Sequence, residues 1–248
     1  MFRVLSCLGG QHDLRLVALA AFVCFISSIV TVSLFQRARS VTGHARVAWI
    51  VGAGAAGGFG IWATHFIAML AYRPSVPVAF GLTLTALSLA CAAVMTSLSG
   101  AIAIMGERRW CTVLGGATIG FAVASMHFLG MGALEVPAQI TWSVQLIVAS
   151  ILLGAVLGIV ALDLAMRGNT VSTSLAASLA LSAAIVTMHF TAMGAVNLIP
   201  DPTLLVTPSS IPPRELAVLI AAAAVVVLAI GVVRIDCRSA AERKEHPV

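Results

Sequence analysis

The sequence predicts an all-α integral membrane protein with seven transmembrane helices. Two features of the composition favour this class: 60% of the 248 residues are hydrophobic and only 9% are charged, with a mean hydropathy of +1.07. A soluble chain of ordinary composition carries about 25% charged residues. So few charges cannot cover a water-exposed surface, and we therefore expect the chain to lie in a lipid bilayer.

Seven apolar stretches are long enough to cross a bilayer, which takes about 20 residues each. Continuous helices are the expected form, because backbone groups in hydrocarbon must bond within their own segment. The stretches cover residues 14–36, 47–71, 77–104, 111–134, 143–166, 172–196 and 214–234. We expect residues 1–235 to form one membrane domain and residues 236–248 a short cytoplasmic tail, without an attached output domain.

The basic residues predict the orientation of the chain. With seven spans, one side of the membrane would hold ten basic residues: Arg37, Arg39, Arg46, Arg108, Arg109, Arg167, Arg234, Arg238, Arg243 and Lys244. The other side would hold Arg3, Arg15, Arg73 and Arg214. The positive-inside rule places the larger set in the cytoplasm, so the N-terminus is expected outside and the C-terminus inside. Because these arginines form no stripe with interleaved aromatic residues, no nucleic-acid partner is expected.

A motif of the form His-Phe-x-x-Met occurs three times, at a fixed spacing of 62 residues. Its histidines are His65, His127 and His189, each near the end of an even-numbered span. A 62-residue unit with two spans returns the chain to the same side of the membrane. The three helices therefore run parallel, and their histidines share one depth, about 10–12 Å inside the outer boundary. The expected architecture is three two-helix repeats in a pseudo-threefold arrangement, plus the seventh helix.

The three motif histidines are predicted to share one polar site. Ionisable side chains inside a membrane are costly, which favours a functional role, and hydrogen bonding between helices is the alternative. A His and a Met four residues apart lie on one helix face, which adds Met69, Met131 and Met193 as candidates. Met126 and Met188 directly precede their histidines and lie on a neighbouring face. As common core residues, the methionines suit simple packing equally well.

Imidazole together with thioether favours copper, particularly Cu(I). Zinc prefers histidine with carboxylate or thiolate, and no carboxylate shares the depth of the histidines. Haem needs a gap between the helices as wide as its ring, so zinc and haem remain alternatives to copper. A copper ion with an open position would admit a diatomic ligand such as O₂, CO or NO. Elsewhere in the spans, Asp163 and Arg167 are four residues apart and are predicted to form an ion pair.

The three motifs resemble those of the MHYT family of bacterial sensory membrane domains. That family is named for a Met-His-Tyr-Thr motif that recurs in three transmembrane helices. The third copy here, Met188-His189-Phe190-Thr191, matches the pattern best, and the similarity covers about residues 12–235. All three copies carry phenylalanine in place of tyrosine, and the first has Thr64 in place of methionine.

This resemblance implies a multi-pass protein of the bacterial inner membrane that senses a diatomic gas or redox state through bound copper. It implies these copper ligands: His65, His127, His189, Met69, Met126, Met131, Met188 and Met193. We expect no enzymatic activity in the chain itself, and we expect the signal to pass to a separate protein on the cytoplasmic side. A copper-handling or transport protein is the alternative. That class predicts ligands at several depths, whereas the motif residues occupy one layer.

Overall fold

Six long helices form the membrane part of the molecule. The computed structural model describes residues 12–106, 108–201, 203–204 and 210–224. The helices are α1 (Leu14–Arg39), α2 (Gly43–Ala71), α3 (Leu82–Met105), α4 (Arg109–Gly132), α5 (Val144–Arg167) and α6 (Val171–Met193). Even the shortest, with 23 residues, reaches about 35 Å, against a hydrocarbon core of about 30 Å. Within the described ranges these six helices have the length and apolar character of membrane spans, and the chain is a multi-pass membrane protein.

The outer faces of α1, α3 and α5 carry large apolar side chains that suit contact with lipid. Phe22, Val94 and Leu152 are each more than half exposed. By contrast, 56% of the most apolar window of α2 and of α4 is buried against other helices, so these two helices lie towards the middle of the bundle. Charged side chains lie near the helix ends, where Asp163 and Arg167 form the ion pair that the sequence predicts.

The helices form a closed ring, in which each packs against its neighbours along the chain and α6 packs against α1. Glycines allow two of the seams to close tightly. A Cβ at Gly58 of α2 would lie 2.4 Å from the Cα of Ala93, and a Cβ at Gly120 of α4 would lie 2.5 Å from the Cα of Ala155. The backbones of the paired helices are therefore in direct contact, as small residues permit in membranes. The two contacts are 62 residues apart, so the repeat in the sequence is also a repeat in the packing.

The seam between α1 and α6 closes the ring with hydrogen bonds instead of glycines. Ser182, which follows Gly58 and Gly120 at the 62-residue spacing, donates its hydroxyl to Ser28 Oγ at 3.1 Å. Gln36 Nε2 donates to the carbonyl of Gly168 at 2.9 Å, and Gln36 Oε1 accepts from the hydroxyl of Ser174 at 2.9 Å. Each such bond in a membrane contributes about 0.6 kcal/mol, so the three stabilise the seam modestly.

Short strand pairs cover the end of the bundle where α2, α4 and α6 finish. The strands are β1 (Ala79–Phe80), β2 (Leu134–Glu135), β3 (Ala138–Trp142) and β4 (Val196–Pro200). β1 pairs antiparallel with β2, and β3 pairs antiparallel with β4. Within these pairs, Phe80 lies opposite Leu134 and Trp142 lies opposite Val196. His12 and Tyr72 form an isolated bridge of the same kind. Tyr72, Leu134 and Val196 are spaced by 62 residues, so the same pairing occurs after each of the three motif helices.

Six of the predicted spans are helices, and their ends differ from the predicted positions by up to five residues. α4 and α6 finish at Gly132 and Met193, before the expected positions 134 and 196, because the chain there enters β2 and β4. α3 begins at Leu82 instead of 77, because β1 precedes it. The apolar runs could not indicate strands of two to five residues. Of the predicted seventh span, residues 213–224 are helical, and the remainder lies outside the described residues together with the predicted tail at 236–248.

Candidate metal centre

Three histidines meet near the ends of α2, α4 and α6. The Nδ1 atoms of His65, His127 and His189 form a triangle with all three sides at 3.2 Å. Its centre is about 1.85 Å from each nitrogen (3.2 Å divided by √3), close to the 2.0–2.1 Å of a zinc–imidazole bond. The histidines lie about 6–9 Å from the ends of their helices. These distances are shorter than the expected 10–12 Å, and for α4 and α6 the reason is that the helices end early.

The contacts within this triangle cannot all be hydrogen bonds. A nitrogen of a neutral imidazole is either a donor or an acceptor, so at least two of the three Nδ1 atoms are of the same kind. Along at least one side of the triangle, two N–H groups or two lone pairs therefore face each other at 3.2 Å. A cation at the centre removes this conflict, because three lone pairs then point at one positive charge.

The triangle is shielded from solvent. His65, His127 and His189 are 2%, 1% and 4% exposed, and within the described part of the chain their Nε2 atoms have no hydrogen-bond partner. Among those residues, no carboxylate or cysteine joins the three histidines as a possible ligand. Three imidazoles suit copper or zinc, and the donor set fits a metal ion.

All five motif methionines are buried: Met69, Met126, Met131, Met188 and Met193. Met188 packs towards α5, since a Cβ at Gly154 would lie 3.3 Å from Met188 Cγ. α5 carries no motif histidine. Met131 lines an apolar groove of ≈ 580 Å³ between α4, β3 and α5, together with Phe128. Sulfur ligation by the methionines therefore stays a prediction, and the position of Met188 suits packing between helices.

A glycine in the second motif makes room for the histidine of the first. A Cβ at Gly130 would lie 2.5 Å from His65 Nε2 and 2.9 Å from His65 Cδ2. Gly130 comes three residues after His127, where the other two motifs have Ala68 and Ala192. The His65 ring thus packs directly on the backbone of α4, and Gly130 fixes how far the ring can move away from the triangle.

The motif phenylalanines form an aromatic layer around the three histidines. Each packs edge-on against its own histidine, with ring centroids 4.7–5.2 Å apart. Each also contacts a ring outside its own helix: Phe66 with Phe80, Phe128 with Trp142, and Phe190 with His12, at 5.5–5.8 Å. Edge-to-face contacts of this kind add about 0.5–1.5 kcal/mol each, so the layer holds the imidazoles in position.

His12 belongs to this layer, and sequence reasoning did not identify it. It is 7% exposed and packs on Tyr72 at 5.3 Å between centroids, and its contact with Phe190 brings it within one ring of His189. It comes two residues before α1 begins, just as Phe80 comes two before α3 and Trp142 two before α5. That common offset from a helix start is the signal that could have identified it. The 62-residue spacing does not find it, because position 18, one spacing before Phe80, lies inside α1.

Backbone bonds hold each of these three rings at the same place in its repeat. The N–H groups of Asp13, Gly81 and Ser143 donate to the carbonyls of Ala71, Ala133 and Ala195, at 2.9, 2.8 and 3.0 Å. Asp13 also caps α1 by accepting from the backbone N–H of Arg15, and its carboxylate pairs with Arg73. The segment that carries His12 is therefore fixed at the end of α2.

The repeat is also found when the chain is compared with known protein families. A family model described as "MHYT: Bacterial signalling protein N terminal repeat" matches residues 58–116 and 120–178, two copies that begin 62 residues apart. An uncharacterized signalling protein of Caulobacter vibrioides is 37% identical over 206 residues, which are 83% of this chain and 26% of that protein. No solved structure matches the chain.

Two further relatives come from Pseudomonas aeruginosa. The bifunctional diguanylate cyclase/cyclic di-GMP phosphodiesterase MucR is 30% identical over 76% of this chain and 28% of its own length. The cyclic di-GMP phosphodiesterase NbdA is 33% identical over 74% of this chain and 24% of its own length. The chain thus spans about a quarter of each of these relatives. With its repeated motif and these matches, the chain belongs to the MHYT family of bacterial membrane signalling proteins.

Proposed function

We propose that the chain is a membrane sensor that binds one copper ion between His65, His127 and His189 and responds to redox state or to a diatomic gas. The observation that carries this proposal is the triangle of Nδ1 atoms, whose 3.2 Å sides bring three donors to one buried point. Bound copper would supply one-electron redox chemistry and a coordination position for O₂, CO or NO.

The surroundings of the triangle favour copper over zinc and haem. Within the described residues the donor set lacks the carboxylate or thiolate that zinc usually takes beside histidine. The three rings already fill the space between their helices, with centroids 5.0–5.2 Å apart, which leaves no slot for a planar macrocycle. Buried thioethers on the same helices suit Cu(I) in particular.

An apolar route to the site suits a small apolar gas. The groove beside Phe128 and Met131 opens between α4 and α5 and is lined mainly by apolar side chains. O₂, CO and NO partition into hydrocarbon, so a gas dissolved in the bilayer would reach the aromatic layer from this side.

The proposal includes the arrangement in the membrane. Three equivalent backbone bonds and three equivalent ring contacts support pseudo-threefold packing, with the helix that begins at 213 as a seventh span. The excess of arginine where α1, α3 and α5 end supports a cytoplasmic location for that end in a bacterial inner membrane. The histidines and the N-terminus would then lie on the outer side.

The output of the sensor is proposed from the relatives. MucR and NbdA are named as enzymes that make or degrade cyclic di-GMP. We propose that the state of the copper site biases the packing of α2, α4 and α6 and reaches cyclic di-GMP turnover through a partner at the cytoplasmic end. Such a bias requires different affinities of the ligand for two helix arrangements. The 248 residues would themselves act as a sensor and not as an enzyme.

A copper-handling or transport protein is the second candidate. Such a protein needs ligands at successive depths, as in known transporter pathways. Within the described part of the chain, the three histidines are the one cluster of His, Cys, Asp and Glu with metal-binding geometry. This single layer favours a stationary site.

Metal analysis of the detergent-purified chain after copper-replete growth tests the proposal. We expect one copper per chain in the wild type and less than a tenth of that in His127→Ala and in His189→Ala. His44→Ala is the matched control, because His44 is exposed at the opposite end of the bundle. Copper-free wild type, or full copper in both triad variants, would show that the triangle is not a copper site.

A separate measurement tests gas sensing. The Cu(I)-loaded chain is placed under CO, and infrared difference spectra are recorded for the wild type and for His189→Ala. A C–O stretch that appears in the wild type and is absent from the variant supports an open coordination position. A copper-loaded wild type without any CO band would rule out CO sensing while leaving metal binding intact.

A further inference from the structure

A basic pocket lies at the end of the bundle opposite the histidines. Arg39 at the end of α1 and Arg108 and Arg109 at the start of α4 line it, with Thr112 and Met166 on its walls. Its volume is ≈ 290 Å³, enough for a phosphate group and part of its ester. Three arginines line the pocket, and a guanidinium group carries paired donors that match phosphate oxygens.

Three arginines line this pocket, and the one acidic residue in the loop sequence beside them, Glu107, leaves an excess of positive charge. No acidic residue is among the described residues that line it, and the nearby Asp163 is already paired with Arg167. Arg39 makes one weak bond, from Nη1 to the carbonyl of Ala165 at 3.4 Å. An anion is therefore the chemical class that the pocket would attract.

The start of α4 adds to this charge. α4 begins at Arg109, and no side chain caps it, so its first N–H groups and its helix dipole face the same end as the arginines. The equivalent start of α6 is closed by Thr170, whose hydroxyl accepts from the backbone N–H of Thr173 at 3.2 Å. The repeat makes the two helix starts alike in fold, but only the α4 start combines open N–H groups with the arginine pocket.

We propose that this pocket binds the phosphate group of an anionic phospholipid headgroup. Basic pockets between transmembrane helices on the cytoplasmic side are suited to such headgroups. Trp110, next to Arg109, is 57% exposed, as expected for an aromatic residue at the membrane interface. Soluble phosphate compounds share the same chemistry, and the experiment separates the two sources.

Native mass spectrometry of the full detergent-solubilised chain tests this site. The chain is offered phosphatidylglycerol or phosphatidylcholine, and inorganic phosphate in a third arm. We expect at least tenfold preferential retention of phosphatidylglycerol by the wild type. Arg108→Gln with Arg109→Gln should weaken that retention on the order of 30-fold, at about fivefold for each arginine.

The matched control removes the same charge from the same end of the bundle. Arg37→Gln with Arg46→Gln leaves the pocket lining intact, and we expect less than a threefold change in retention. Equal losses in both double variants would mean general surface attraction and overturn the site, as would equal retention of the two lipids by the wild type. Saturable phosphate binding without lipid preference would support a phosphate pocket and reject the lipid. If the pocket variant does not stay monodisperse, displacement of phosphatidylglycerol from the wild type by excess phosphate decides the same question. None of these measurements depends on copper.

Discussion

Substitution of Gly130 by alanine should disturb the proposed metal site without changing any proposed ligand. The new Cβ would lie 2.5 Å from His65 Nε2, whereas ordinary contact begins at 3.4 Å. The ring must therefore move by about 0.9 Å, or α4 must retreat by the same distance. Metal sites tolerate about 0.5 Å of displacement in their ligands, so a shift of this size breaks the triangle.

The expected loss of copper affinity is about 10–100-fold, the range found when a residue that orients a ligand is changed. Competition with a chromophoric Cu(I) chelator in detergent measures it. Gly132→Ala is the matched control, because a Cβ there meets only Leu84 Cδ1 at 3.7 Å. That control lies on the same helix and carries the same change in backbone entropy.

Thermal unfolding of the metal-free chain gives a readout that does not depend on copper. Overpacking costs about 1–3 kcal/mol, so Gly130→Ala should unfold at a lower temperature than Gly132→Ala. The packing argument would be wrong if Gly130→Ala bound copper like the wild type and unfolded at the same temperature as Gly132→Ala, while His127→Ala lost its copper. That result would mean that the His65 ring is free to move.

Three further predictions concern other parts of the fold. Gly120→Ala should destabilise the α4–α5 seam by about 1–3 kcal/mol, because its Cβ meets the Cα of Ala155 at 2.5 Å; unchanged thermal unfolding would contradict this contact. His12→Phe should keep the fold and the copper stoichiometry, since the equivalent positions hold aromatic rings, but should speed copper loss to a chelator; identical loss rates would remove His12 from the site. Hydrogen bonds from Thr203 lower the pKa of Asp201 below its usual value. This carboxylate therefore stabilises the fold above about pH 4, the pKa range of a free Asp, and loses that contribution as the pH falls through the lowered pKa. In Thr203→Val, the contribution of Asp201 to stability should be lost at a higher pH than in the wild type. Thermal unfolding measured between pH 2 and 5 tests this. Identical pH profiles of the two proteins would argue against the hydrogen bond from Thr203 to Asp201.

The repeat is the part of the fold that the sequence predicts best. Identical spacing of His65, His127 and His189 implied parallel helices, and the structure places those three side chains together. The physical reason is that a membrane span has a fixed length, so a repeat of two spans sets both direction and depth. Helix ends were less predictable, because β2 and β4 continue the apolar runs of α4 and α6.

The surroundings of the histidines could not be read from the motif. Gly130 matters through its distance to His65, on another helix, and that contact has no pattern along the chain. His12 enters the site because the ring of helices closes, which brings the start of the chain beside α6. The junction that closes this ring includes a segment outside the 62-residue spacing, so spacing arguments could not find it.

The three histidines are consequently equivalent in sequence but not in environment. His65 packs against Gly130. His127 is next to Phe128, which lines the apolar groove. His189 is next to Phe190, and the ring of Phe190 contacts His12. A ligand that arrives through the bilayer would meet the His127 side, where the apolar groove lies. Because the site differs on its three sides, loss of one imidazole should not equal loss of another. Unequal residual Cu(I) affinities of His127→Ala and His189→Ala in chelator competition are thus the expected result for a proposed site whose three sides differ.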